Sequence, residues 1–346
     1  MPLRLTGRRQ VIRKRSRWGS VGLDGPVVGP DGVYVGWHTD INELVKLDRK
    51  TLEEVWRVKT QRYIPRAIEG TDLLAGSYKG RVGRFDGRTG KLLWEVPGDG
   101  FIRWREHLVI PEKGGLAVVD AKGGAIIEKI PMPSPDLAVI SRMGDLMLLK
   151  VDLLIEERDG RPEPIVCFDL AERRIVWEQP LIAQLRERFG ADEQGGIIAL
   201  TPGSAGDRFV ARRGHGTFGI SAVDGRVLWS VPLPLDYRVA HVYDGRVHGL
   251  VADRFVALDE SDGRVLFDVQ HPELAGSMFP GLPIYARGQV AYAMQSGHVA
   301  VLSLTDGTLK GLHRYRGPLS GFAAEADGRL LVASSDDGSL LVFEGL

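Results

Sequence analysis

The chain has 346 residues and a single cysteine, Cys167, so no disulfide forms within it and folds stapled by cystines are excluded. It also has no excess of charge: Lys+Arg and Asp+Glu both number 45, and no overall field draws it to nucleic acid or to an anionic membrane. No apolar run approaches the roughly 18 residues that a membrane-crossing helix needs. Cys-x-x-Cys-His, His-Glu-x-x-His, Gly-x-x-x-x-Gly-Lys-Ser/Thr and Gly-x-Ser-x-Gly are all missing, which removes the linear marks of haem attachment, zinc proteolysis, nucleotide-phosphate binding and a serine nucleophile. The eight histidines are scattered. A site assembled from residues distant in sequence would leave no such mark.

Glycine, by contrast, is abundant, with 44 residues, and it falls in a repeat. Its clearest copy is Phe85-Asp86-Gly87-Arg88-Thr89-Gly90-Lys91-Leu92-Leu93-Trp94. The local chemistry is that of a tight hairpin: a strand end, an Asp whose carboxylate folds onto the following amides, a Gly free to take positive φ, and a new apolar strand. Aligned on Asp86, Gly90 and Trp94, further copies start at Leu47-Asp48, Val119-Asp120, Phe168-Asp169, Ile220-Ser221, Leu258-Asp259 and Leu302-Ser303, and Phe343-Glu344 opens an eighth. The copies lie roughly 40 residues apart, the period of propeller blades. Upstream of each hairpin runs a second one, marked by turns such as Glu69-Gly70, Asp244-Gly245, Arg287-Gly288 and Asp327-Gly328. Each unit therefore reads as four strands, A to D, with A innermost. Cys167, beside Phe168 on such a strand, reads as a small buried apolar residue.

The pattern apolar-Asp-x-x-(Thr)-Gly-Lys/Arg-x-x-Trp resembles the tryptophan-docking repeat of the quinoprotein, or pyrroloquinoline-quinone-like, eight-bladed propellers. Five of the seven complete copies carry an aromatic at the last position, and in four it is Trp: Trp56, Trp94, Trp177 and Trp229. The resemblance implies that each indole packs between neighbouring blades as a structural element. It does not extend to the quinone, since the paired adjacent cysteines of the quinoprotein alcohol dehydrogenases are missing, so neither cofactor nor metal is expected.

These readings give an all-β chain: one domain, an eight-bladed β-propeller of four-stranded antiparallel blades. The blades fall near 20–59, 60–97, 98–131, 132–180, 197–232, 233–270, 282–316 and 317–346. The eighth lacks a strand D. The N-terminal stretch 8–15, around Gln10 to Lys14, is expected to supply it and close the ring. A seven-bladed ring with an appended hairpin is the alternative. The segment Arg4 to Trp18 holds seven Lys/Arg and no acid. It reads as a charged edge strand that blocks intermolecular pairing rather than as a nucleic-acid arm. The N-terminus shows neither the apolar core of a secretory signal nor the acylated-cysteine signal of the envelope lipoproteins that this repeat resembles, and a cytoplasmic location is the expectation.

Two insertions break the period. One, at 152–164, extends the B–C hairpin of blade 4. The other, at 181–196, has helical spacing at Leu181, Ile182, Leu185 and Phe189 and lies between blades 4 and 5. The 271–283 link, with Met278 and Phe279, is long as well. Alternating strands put B–C turns and D-to-A links on one face, which is the expected binding surface. Its turns carry His38, Tyr78, Lys79, Glu112, Arg212, Arg213, His215, Asp253, Arg254, His298 and Asp337. Arg212, Arg213 and His215 form the most basic turn, suited to an anion, and Met278 and Phe279 are a candidate apolar anchor. For any one of these residues a solvated turn is the plain alternative. The function expected is a non-catalytic interaction platform for a protein partner. The alternative is an enzyme or small-ligand binder at the channel mouth, with His38, His215 or His298 as the acid/base group.

Overall fold

The computed structural model describes residues 3–11, 23–37, 42–77, 79–98, 100–112, 114–132, 137–151, 165–180, 198–213, 216–235, 241–275, 283–334 and 337–345. Among them the regular elements are strands, apart from one 3-10 turn at Pro272–Leu274. The chain opens with β1 (Arg4–Gln10). Blade 1 is β2 (Leu23–Val28), β3 (Gly32–Trp37), β4 (Glu43–Asp48) and β5 (Glu54–Lys59); blade 2 is β6 (Tyr63–Glu69), β7 (Asp72–Ser77), β8 (Arg81–Phe85) and β9 (Leu92–Pro97). Blade 3 is β10 (Ile102–Trp104), β11 (His107–Glu112), β12 (Gly115–Asp120) and β13 (Ile126–Pro131); blade 4 is β14 (Leu137–Met143), β15 (Leu146–Val151), β16 (Ile165–Asp169) and β17 (Arg174–Gln179). Blade 5 is β18 (Ile198–Pro202), β19 (Arg208–Arg213), β20 (Gly216–Ser221) and β21 (Val227–Val231); blade 6 is β22 (His241–Tyr243), β23 (Arg246–Val251), β24 (Arg254–Asp259) and β25 (Val265–Gln270). Blade 7 is β26 (Ile284–Ala286), β27 (Gln289–Ala293), β28 (His298–Ser303) and β29 (Leu309–Arg314); blade 8 holds β30 (Leu319–Ala326), β31 (Arg329–Ser334) and β32 (Ser339–Glu344).

Seven sheets pair their strands in chain order, and the eighth runs β1-β32-β31-β30. Eight four-stranded antiparallel sheets make this an all-β, eight-bladed β-propeller fold. Close contacts divide the chain into two compact units, Met1–Phe101 with Val119–Ile126 and Leu274–Leu346, and Ile102–Val118 with Ile127–Glu273.

In the first unit the N-terminal strand completes blade 8. β1 pairs antiparallel with β32, from Arg4 opposite Glu344 to Gln10 opposite Ser339. The closing strand thus lies upstream of the expected Gln10–Lys14 stretch. The reason is apolar placement: Leu3 and Leu5 pack with Leu341 and Phe343, and Val11 packs with Leu52, Leu340 and Val342. Polar bonds fix the register, because Arg8 pairs with Asp337 and Gln10 Nε2 donates to the Asp337 carbonyl at 2.6 Å.

The repeat residues act across blade junctions. Asp86 Oδ1 accepts from the amides of Arg88 and Thr89 at 2.9 and 2.7 Å, and Asp48 Oδ1 does the same with Lys50 and Thr51. In six blades a bulge sits in the C–D pair just before this turn, for example between Arg84 and Phe85. Each docking indole donates its Nε1–H to a carbonyl in the C–D turn of the next blade. In the first unit Trp56 bonds Gly87 O at 2.9 Å and Trp94 bonds Lys122 O at 3.2 Å. In the second, Trp177 bonds Ala222 O at 2.9 Å and Trp229 bonds Glu260 O at 2.8 Å. The indole lies on that turn's repeat glycine: an added Cβ at Gly90, Gly124, Gly225 or Gly263 would come within 2.9 Å of Trp56, Trp94, Trp177 or Trp229 respectively. The repeat glycine therefore serves its own turn and the tryptophan of the preceding blade.

The junction of blades 3 and 4 is built differently. Blade 3 has Glu128 in the tryptophan position, and blade 4 has Arg173, at φ 57°, in the glycine position. Arg173 Nε donates to Glu128 Oε1 at 3.0 Å and its terminal nitrogen to Oε2 at 2.6 Å. Its guanidinium also lies 5.1 Å from the ring centre of Trp104.

Candidate functional site

In an antiparallel blade the B–C turn and the outgoing end of strand D share one end of the sheet. The described charges at these ends in the second unit are mostly paired within their own blade. In blade 3, Glu112 meets Lys129 at 2.8 Å. In blade 6, Arg254 grips Asp268, with Nε to Oδ1 at 2.8 Å, and Gln270 Nε2 donates to Asp253 Oδ2 at 3.3 Å. These are solvated or self-neutralised turn residues. Arg212, on β19 of blade 5, is partly buried, and its Nε finds no acceptor among the described residues. Arg213 closes the same strand opposite Gly216.

In the first unit Asp337 is taken up by blade closure: besides Arg8, it accepts from the Ser339 amide at 3.0 Å and from Tyr315 Oη at 3.4 Å. Lys79 is exposed in the B–C turn of blade 2, where its amide bonds Ser77 Oγ at 3.1 Å. His298 opens β28, with Ser296 Oγ 2.9 Å from its Nδ1 and Arg314 opposite it across the ladder. Burial, and after it the Arg314 cation, hold the imidazole below the usual histidine range, which favours the neutral ring. Ser296 and Arg314 escaped the sequence reading because the first is set by the turn and the second by cross-strand register. Counting back from the repeat bulge between Val301 and Leu302 would have located Arg314.

His38, Tyr78, His215, Met278 and Phe279 lie outside the described residues, as do the insertions at 152–164 and 181–196. Their points of departure are clear. The first leaves β15 and returns in β16, and the second leaves β17 and enters β18, so both spring from the same end of the blade 4 sheet. Among the described residues no three His, Cys, Asp or Glu side chains form a metal-binding group, and no helix is long and apolar enough to cross a membrane.

Eight four-stranded blades, four of whose junctions are docked by an indole, define a propeller of the pyrroloquinoline-quinone-like repeat class, a scaffold. The chain belongs to the family described as outer membrane protein assembly factor BamB, whose model matches residues 8–183 and 161–318. It is similar to the BamB of Nitrosomonas eutropha, with 28% identity over 162 residues, which cover 44% of this chain and 38% of that relative. The matched part is thus well under half of the relative's length. Among solved structures, BamB from Moraxella catarrhalis superposes with a TM-score of 0.66 at 15% identity, covering 100% of this chain and 98% of that one. Sqt1 of Chaetomium thermophilum, solved bound to the N-terminus of ribosomal protein L10, gives 0.69 at 14% identity, covering 98% and 100%. The computationally designed Ika8 protein gives 0.68 at 12% identity, covering 97% and 100%. At these identities the likeness is one of fold.

Proposed function

We propose that this chain is a non-catalytic interaction platform whose partner is a protein of the outer-membrane assembly apparatus, docked at the loop-bearing end of blade 4. The observation that carries this reading is the departure of both period-breaking insertions, 152–164 and 181–196, from that one end. Elsewhere the repeat's chemical groups are engaged in the scaffold: the turn aspartates hold amides, the glycines seat indoles and the tryptophans bond carbonyls. Loops displayed on a rigid frame are where such proteins carry recognition. The family name draws the proposal toward the outer membrane and lends no support to the cytoplasmic location expected from the N-terminal residues.

The test is loop shortening. Replacing 152–164 and, separately, 181–196 by short Gly-Ser links should leave the thermal melt close to that of the parent chain and abolish co-purification of the partner from the native cells. Retention of the same partner by both shortened chains would refute the docking end.

A further inference from the structure

The outer strand of blade 2 presents an uncovered apolar step, as that of blade 6 does with Val265 and Leu266, but where Arg264 of blade 6 meets Asp259 and Asp262, the cations beside this step are unpaired among the described residues. β9 is hydrogen-bonded to β8 on one side only. Its first two residues, Leu92 and Leu93, are 41% and 48% exposed, and Ile126, beyond the neighbouring C–D turn, is 45% exposed. Next to them stands Trp94. Trp56, Trp177 and Trp229 are buried against their glycines, whereas Trp94 is half-buried and its bond to Lys122 O lies at the surface. That bond, with the bonds from Arg84 to the carbonyls of Ala121 and Lys122 at 3.0 Å, locks the turn carrying Lys122 beside β9.

Glu95 on β9 is held by Arg81 and by Tyr63 Oη, which leaves cations as the unpaired charges beside this step. Lys91 and Lys122 are exposed and form no ion pair with the described residues, while Asp86 and Asp120 turn their carboxylates into their own turn amides. Edge strands are ordinarily guarded by charge, and β1 shows it, with Arg4, Arg8 and Arg9 all exposed. β9 carries aliphatic residues at the same kind of edge. A half-buried indole flanked by exposed aliphatics and two unpaired lysines has the composition of an interface anchor.

We propose that the β9 edge of blade 2 takes up an extended segment of a partner protein as an added strand. The segment would have alternating aliphatic side chains, which meet Leu92, Leu93, Ile126 and the face of Trp94, and an acidic end, which meets Lys91 and Lys122. Main-chain bonds to an open edge supply affinity and the alternating side chains supply selectivity. The proposal rests on the reading of the chain as an interaction platform but uses a surface separate from the loop-bearing end of blade 4.

The probe is a fluorescein-labelled synthetic peptide of about ten residues, alternating Val and Thr and ending in Asp-Glu, titrated by anisotropy against the full chain. Saturable binding to the parent is expected. Leu93→Lys and Lys122→Glu should each weaken it by about tenfold or more, N-methylation of alternate peptide amides should abolish it, and Val223→Lys, at an exposed turn of blade 5, should leave it unchanged. Melting temperatures of the three variants check that each remains folded. Absence of saturable binding, or equal binding to all variants, would overturn the proposal. So would self-association of the parent chain that Leu93→Lys abolishes, which would make a second copy the occupant. Loop shortening at blade 4 leaves these readings untouched, so failure here and failure there are told apart.

Discussion

Glu128 grips Arg173 with paired hydrogen bonds at a junction where four others seat a tryptophan on a glycine. Both departures from the repeat occur together, and each makes sense only with the other. A glycine opposite Glu128 would leave the carboxylate without its cation, and an arginine beneath an indole would fill the space the ring needs.

Restoring the common pair tests this. Glu128→Trp or Arg173→Gly alone should lower the melting temperature, and the double substitution should recover most of the loss. The ion pair is part-exposed, so its own worth is at the modest end, about 0.5–1 kcal/mol. Thermal melts of the four chains give the coupling energy, and additive losses would contradict the relationship.

Two glycines with nearly the same backbone separate conformation from packing. Gly206 has φ 74° and open space where a Cβ would go, whereas Gly225 has φ 73° and Trp177 Cε3 2.6 Å from that point. Gly206→Ala should cost about 1 kcal/mol for the left-handed backbone alone. Gly225→Ala should cost a further ~1–3 kcal/mol because the indole must shift. Equal denaturation midpoints would mean that the indole is not seated there.

Blade 7 places Ser303 where most blades have the turn aspartate; its Oγ accepts from the Thr305 amide, and Asp306 three residues on makes a second such turn. It accepts from Ser303 and from both the amide and the hydroxyl of Thr308, and these bonds hold its carboxyl at about 2. An unfolded aspartate titrates near 3.9, so the folded form contributes stability above that pH and loses it as pH falls through about 2. Melting temperatures of the parent and Asp306→Asn should differ most at about pH 5 and converge toward about pH 2. A constant gap would show that the carboxylate's charge is not what matters.

Cys167 is fully enclosed on β16, and burial, with a smaller contribution from Asp169, pushes its thiol up to about 12. A thiol reagent at about pH 8 should therefore leave the native chain unmodified and label it stoichiometrically in denaturant. Prompt labelling of the native chain would contradict the packing of β16.

The architecture was open to sequence reading because its determinants recur and act nearby. Asp86 works on amides two and three residues on, and its partners recur at the same spacing in the adjoining blades, as Asp48 and Trp56 before it and Asp120 and Gly124 after it. Features that depend on remote register were not open to it. The closing strand was expected near Gln10 to Lys14, yet it is set by Leu3, Leu5 and Val11 meeting residues more than 320 positions away. The turn charges shared that fate: Asp337 and Arg254 read as surface groups, and only the folded sheets show them paired to Arg8 and Asp268. The exchange of Glu128 and Arg173 was visible as two irregular copies, but their pairing needs the geometry of the junction.

The most direct measurement is site-specific photo-cross-linking of the full chain in its native cells. p-Benzoylphenylalanine would replace Leu154 or Phe189 in the two insertions and, as a control, Val223 at the opposite end of the sheets. The account predicts one defined adduct with an outer-membrane assembly protein from 154 and 189 and none from 223. An adduct from 223 alone would contradict the docking end, and the absence of any protein adduct from all three positions would contradict the platform itself.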